Sequence, residues 1–274
     1  SFGADADALI QVIRCFANKT VEHPEWSIDP IRDWDIIENE LIFRDLAVIE
    51  NRLGKLKAKK KLTPEEETEK KLLDACFECL LEERPLRSME LKPAEWRLLR
   101  GFSFVTSKPE ILLLNLDDSQ SDETKIPKWD ELKKRADEQG VKLCSLYGSL
   151  EMDIAELEEE EAAAFTEGLD ITEPGRERLI EEAYRVLGLI SFFTCGPDEV
   201  RAWTLHDGDN AVDAAGAIHS DLARGFIRAQ VGAFDDYKKH GSSFDECRKA
   251  GCLRLEGKEY LVKDGDIIEI RFNV

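Results

Sequence analysis

The sequence predicts an α/β chain in which a parallel sheet is interrupted by an antiparallel coiled-coil insertion and followed by a ubiquitin-like β-grasp module. Three observations carry that expectation. Glu110-Ile-Leu-Leu-Leu-Asn115-Leu-Asp-Asp118 is an apolar run with no polar alternation, as suits a strand buried on both faces, and it ends in a polar tetrad. Ile42, Leu46, Ile49, Leu53 and Leu56 recur at alternating spacings of four and three, the seam of a two-stranded coiled coil. From Ser191 onward short apolar strands return at Phe192-Phe193, Val200 to Leu205, Phe226 to Val231, Tyr260 to Val262 and Ile267 to Phe272, with helices over 211–223 and 244–250.

Taken in order, Asp7 to Phe16 reads as a buried strand that neighbours the 111–115 strand, with most of the intervening chain an insertion. A helix begins near Asp33-Trp-Asp, where either Asp suits the cap. Thr63-Pro-Glu-Glu opens a second helix with an N-cap followed by Pro at the first helical position, and Pro85 ends it. Residues 33–84 therefore form a helical hairpin. Lys92 to Arg100 returns to the domain as a short helix, Trp129 to Gln139 is amphipathic and stops at Gly140, and Val141 to Leu146 gives a third strand. Residues 153–188 are helical and acidic. The boundaries that follow are 1–32, 33–100, 101–150, 151–190 and 191–274.

Charge and cysteine usage narrow the class. The net charge is −20, of which residues 151–182 supply about −11, so local patches rather than the total decide what the surface binds. The seven cysteines do not suit a disulfide framework. Cys76 and Cys79 lie on an apolar helical stripe and read as packed thiols, and Cys247 and Cys252 lack a second pair at zinc spacing, so no metal site is assigned. No apolar run approaches the roughly 20 residues that span a bilayer. The amino terminus shows no leader pattern, and a cytoplasmic protein without membrane partners is expected.

Ligands of parallel sheets bind beyond the carboxyl ends of the strands, where Asn115 to Asp118 would lie. An Asn followed three residues later by a carboxylate suits the edge of a purine, because the amide both donates and accepts while the carboxylate accepts from N–H groups. An ordinary strand-to-loop turn is the alternative. Tyr147-Gly148-Ser149, at the end of the next strand, would converge on the same pocket. Lys55, Lys57, Lys59, Lys60 and Lys61 crowd the hairpin tip, either as a solvated helix end or as phosphate contacts. His219 reads as a helix-end residue and Trp203 as core, and no catalytic residue is assigned.

The carboxyl-terminal region carries a resemblance. Phe193-Thr-Cys-Gly-Pro-Asp-Glu-Val-Arg-Ala-Trp-Thr204, Ala214-Ala-Gly-Ala-Ile-His-Ser-Asp221, Gly225-Phe-Ile-Arg-Ala229, Val262-Lys-Asp-Gly-Asp266 and Arg271-Phe-Asn-Val274 resemble the TGS domain of the YchF/Obg-like ATPase family. Thr106-Ser-Lys-Pro109 and the strand after it follow the same family in order. The resemblance implies a partial P-loop NTPase sheet (G domain) over 1–32 and 101–150, a coiled-coil insertion, an acidic connector and a TGS domain. It also implies a cytoplasmic monomer that associates with ribosome or RNA and binds ATP first, GTP second. Asn115, Leu116 and Asp118 would read the base, where the family has Asn-x-x-Glu, and Tyr147, Gly148 and Ser149 would close the pocket. No G-x-x-x-x-G-K-[ST] is present, so the chain is expected to start after the phosphate-binding portion, to need Mg2+ only where that portion is present, and to be inactive alone. The alternative is a non-catalytic binding module in which Arg201, Arg224 and Arg228 join the tip lysines on phosphates.

Overall fold

The computed structural model describes residues 5–117, 123–168, 174–196 and 199–273. The chain divides into two compact units, Ser1–Val186 and Leu187–Val274.

In the first unit β1 (Leu9–Arg14) is followed by α1 (Pro30–Lys57) and α2 (Pro64–Leu81), which pack together as a helical hairpin. Asp29, rather than Asp33 or Asp35, caps α1, accepting the N–H of Arg32 at 3.3 Å; Pro30 takes the first helical position because that position needs no donor. Thr63 caps α2 in a reciprocal box with Glu66. Ile42, Ile49, Leu53 and Leu56 of α1 are buried against Leu72, Leu73, Cys76, Cys79 and Leu80 of α2, with Leu46 half-buried beside them. Cys76 and Cys79 are thus core residues.

The chain then passes through a 3-10 turn at Leu86–Ser88 and α3 (Pro93–Leu99) into β2 (Glu110–Leu116), α4 (Trp129–Gln139) and β3 (Lys142–Tyr147). The three strands are parallel in the order β1-β2-β3, so β2 is central and buried almost throughout. One face, with Ile13, Leu112, Leu114 and Leu116, packs on Ile31 and Trp34 of α1 and Leu132 and Ala136 of α4. The other, with Ile111, Leu113 and Cys144, meets Leu179, Ala183 and Val186. Those last three lie on α7 (Gly175–Val186), which follows α5 (Gly148–Ala155) and α6 (Glu159–Gly168).

The second unit contains β4 (Leu189–Cys195), β5 (Val200–His206), α8 (Ala211–Ile218), α9 (Ser220–Arg224), β6 (Phe226–Ala233), α10 (Phe234–Lys239), α11 (Phe244–Ala250), β7 (Arg254–Glu256) and β8 (Asp266–Phe272). Its sheet order is β5-β4-β8-β6-β7, with β4 and β8 parallel and the other pairs antiparallel. Ala211, Ala214 and Ala215 of α8 pack on Phe192, Ala229, Val231 and Ile268. Two expectations are corrected. Residues 211–223 break at His219, whose extended backbone separates α8 from α9. Tyr260 to Val262 is not a strand, because its backbone bonds go to the turn before α8 (Ala211 N–H to Tyr260 O at 2.9 Å, Val262 N–H to Asp209 O at 3.0 Å), and β7 supplies the edge instead.

Candidate nucleotide-base site

Three chain segments leave the carboxyl end of the parallel sheet, after β1, β2 and β3, where an open α/β sheet presents ligands. Asn115 lies between Arg14 and Leu146 in register. Its Oδ1 accepts the N–H of Gly148 at 3.0 Å. A Cβ on Gly148 would stand 2.8 Å from that oxygen and 3.1 Å from Nδ2, so glycine is what lets the amide lie against the first turn of α5. The strand end and the helix start are therefore one polar unit: its acceptor is used internally, and its Nδ2 donor makes no hydrogen bond among the described residues.

The other expected members divide. Leu116 and Tyr147 pair in register and pack in the cluster facing α1 and α4, Leu116 only 3% exposed. Asn115 belongs to the alternate positions of β2 that face α7. Gly148 and Ser149 are not a loop but the opening of α5, with Ser149 exposed. Asp118 lies outside the described residues. A cleft of about 1000 Å³ lined by Trp96, Arg97, Arg100 and Lys108 opens near the amino ends of β1 and β2, the opposite end of the sheet from Asn115.

Several supporting contacts were not signalled by any motif. Glu151 Oε1 accepts the N–H of Gly175 at 2.6 Å, and a Cβ there would meet Leu146 Cβ at 2.7 Å, so α7 starts in contact with β3. Arg178 donates to the Ser145 carbonyl at 2.9 Å, and the Ser145 hydroxyl bonds Glu123. After β1, Arg14 donates to the carbonyls of Phe16 and Val21, both at 2.9 Å. His23 Nε2 stands 3.0 Å from Asp33 Oδ2 and its Nδ1 accepts the N–H of Glu25, tying that segment to α1. Pro174-Gly175 is the one sequence signal that marks a tight approach here.

The basic candidates also separate. Lys55, Lys57, Lys59, Lys60 and Lys61 are all exposed at the hairpin tip; Lys59 pairs with Glu66 at 2.5 Å, and the other four make no ion pair among the described residues. Arg201, Arg224 and Arg228 do not form one patch. Arg201 stacks over Trp203 at 4.2 Å on the α8 side of the sheet, Arg224 pairs with Asp221, and Arg228 alternates to the opposite side, beside Arg271 in register. Trp203 packs on the core and donates to Thr194 Oγ1 at 2.9 Å, while His219 accepts the N–H of Asp221 as a helix cap.

A Bacillus subtilis protein, "Ribosome-binding ATPase YchF", is 37% identical over 273 residues, covering 98% of this chain and 74% of the relative. The chain belongs to the YchF family. A Haemophilus ducreyi YchF of the same description is 36% identical over 271 residues, with the same coverage of both chains. The Schizosaccharomyces pombe YchF GTPase structure superposes with a TM-score of 0.83 at 31% identity, covering 97% of this chain and 72% of that one. The family description YchF-GTPase_C, "Protein of unknown function (DUF933)", matches residues 189–273, the five-stranded unit. The expectation that a phosphate-binding portion is lacking is not supported by the likeness to these YchF proteins. Among the described residues no helix is long and apolar enough to cross a membrane.

Proposed function

We propose that the carboxyl edge of the parallel sheet binds a purine base, and that the protein works as a ribosome-associated nucleotide hydrolase of the YchF kind. The observation that carries the reading is Asn115, held by Gly148 at the end of the central strand with its amide donor unspent among the described residues. The names of the relatives, ribosome-binding ATPase and GTPase, supply the reaction class. ATP is the first expectation and GTP the second. Asp118 would accept from the base, and Gly148 and Ser149 would border it. Mg2+ would be needed only together with a phosphate-binding portion. The second unit is assigned as a TGS-type β-grasp domain and the hairpin as a coiled coil, on their element order and seam.

Equilibrium titration with fluorescent ATP and GTP tests the base site. Asn115→Ala is expected to weaken the preferred nucleotide at least about tenfold, or about 1.4 kcal/mol. Unchanged affinity would remove Asn115 from the site.

A second reading, a non-catalytic RNA- or ribosome-binding module, is favoured by the four tip lysines without acidic partners among the described residues. Replacing Lys55, Lys57, Lys60 and Lys61 by Gln should flatten the salt dependence of single-stranded RNA binding by about 3, at roughly 0.7 for each phosphate left unneutralised. An unchanged slope would place the phosphate-binding cations elsewhere.

A further inference from the structure

The root of the helical hairpin holds more negative charge than its own cation balances. Glu38 of α1, Arg87 of the 3-10 turn after α2, and Glu110, the first residue of β2, meet in the interior. Arg87 Nη2 stands 2.7 Å from Glu38 Oε2 and 2.5 Å from Glu110 Oε2, and the three side chains are 7%, 4% and 0% exposed. Among the described residues Arg87 Nε and Nη1 and Glu38 Oε1 have no hydrogen-bond partner. Two carboxylates on one guanidinium leave a net charge of −1, and an uncompensated buried charge is strongly destabilising. A single proton between the carboxyls cancels it. Burial pushes the Glu110 carboxyl up to about 7 against the pull of Arg87, and the neighbouring Glu38 carboxyl adds to the rise.

Among the described residues the surrounding elements bring no further cation to the triad. Farther along α1, Asp45 is bonded to the N–H groups of Val105 and Thr106 and to the Thr106 hydroxyl, with Arg44 at 3.5 Å. From α4, Arg135 covers the Trp34 ring and pairs with Asp35. On β1 the polar neighbour is Gln11, whose amide reaches the Asp33 carbonyl at 3.4 Å. Lys108, just before β2, bonds the Ala6 carbonyl. Among the described residues only Arg87 forms an ion pair with Glu38 or Glu110.

We propose that Glu38, Arg87 and Glu110 form a proton-operated latch that fastens the helical hairpin to the central strand. With one proton shared, the triad is neutral and joins three segments that are distant in sequence: the first helix of the hairpin, the turn that follows its second helix, and the strand that ends at Asn115. Loss of that proton sets two carboxylates against one guanidinium, and the root loosens. The latch is closed at low pH and opens as pH rises through neutrality. It acts on the hairpin whether or not a purine occupies the Asn115 edge.

Amide hydrogen exchange on the full chain, corrected for intrinsic rates, tests this at about pH 6 and about pH 8. Opening of residues 84–90 and 106–111 should increase about tenfold at the higher pH, the equivalent of one pH unit of proton linkage, while the hairpin tip is unchanged. Glu110→Gln, a neutral isostere, should hold the latch shut at both pH values. Glu38→Gln should do the same independently, so the test stands if one variant does not fold. Protection that is independent of pH in the unaltered chain, or pH dependence that persists in either folded variant, would overturn the latch.

Discussion

Asn115 and Gly148 share one hydrogen bond, Oδ1 to backbone N–H at 3.0 Å, across which the central strand is joined to the first turn of α5. Both the candidate base reader and the start of the helix depend on the absence of a side chain at residue 148.

Gly148→Ala places a methyl 2.8 Å from the Asn115 oxygen, and the amide must move. Overpacking of this kind costs about 1–3 kcal/mol. Urea unfolding should show that loss, and purine affinity should fall with it. An alanine variant with unchanged stability and affinity would show that the contact does not position Asn115.

Asp45 is fully buried and accepts from Val105 N–H at 3.1 Å, Thr106 N–H at 2.8 Å and Thr106 Oγ1 at 2.8 Å. Burial raises its carboxyl above the usual range while these donors oppose the rise. Asp45→Ala leaves three donors without an acceptor, for an expected loss of about 3 kcal/mol or more, at 1–3 kcal/mol for each unmet group. A shift below about 1 kcal/mol in denaturant unfolding would contradict this.

Thiol labelling should sort the cysteines by environment. Burial pushes the Cys15 and Cys76 thiols up to about 12, so they remain protonated across the range in which alkylating reagents are used. Cys195 and Cys252 are the half-buried members. Mass spectrometry after alkylation at about pH 8 should find Cys195 and Cys252 modified first, with Cys15 and Cys76 modified only on unfolding, and raising the pH by about one unit should not expose them. Early modification of Cys15 would contradict the packing of β1.

Gly225 meets backbone rather than a movable side chain: an added Cβ would lie 2.3 Å from the Asn273 carbonyl oxygen. The same two residues are joined by Asn273 N–H to Gly225 O at 2.9 Å. Gly225→Ala should cost the carboxyl-terminal unit about 3 kcal/mol, the upper end for overpacking. Calorimetry of the full chain should show one transition lowered and the other retained.

The elements that could be read from sequence were those whose signal is local. The unbroken run Ile111 to Leu114 became the central strand, Thr63-Pro64 became a helix start, and Gly140 became a left-handed cap at φ 66° after a helix with the expected ends. Pairing partners decided the rest. Tyr260 to Val262 has the composition of a strand, but its donors and acceptors are taken by the turn before α8. Phe234–Lys239 is a single short helix with paired Asp and Lys at its ends, too brief for a periodic pattern. In the candidate site, Asn115 stands out in the sequence because an amide follows four apolar residues of one strand. The exclusion of Leu116 and Tyr147 from its side of the sheet follows from strand alternation, a consequence of register. The separation of Arg201 from Arg228 has the same cause.

The excursion between β1 and β2 also bears on the order in which the first unit assembles. Parallel pairing of Leu9–Arg14 with Glu110–Leu116 is non-local, with residues 15–109 between them, and such contacts are slow to form because the loop must close before they return anything. The hairpin between them needs only its own neighbours: two capped helices with a continuous apolar seam. Once zipped, it brings the two strands closer and removes a large part of the loop, and each halving of effective loop length recovers about 0.6 kcal/mol of closure entropy. A hairpin that zips first would act as a folding template for the sheet, a few-fold accelerator of the pairing that creates the strand on which Asn115 stands.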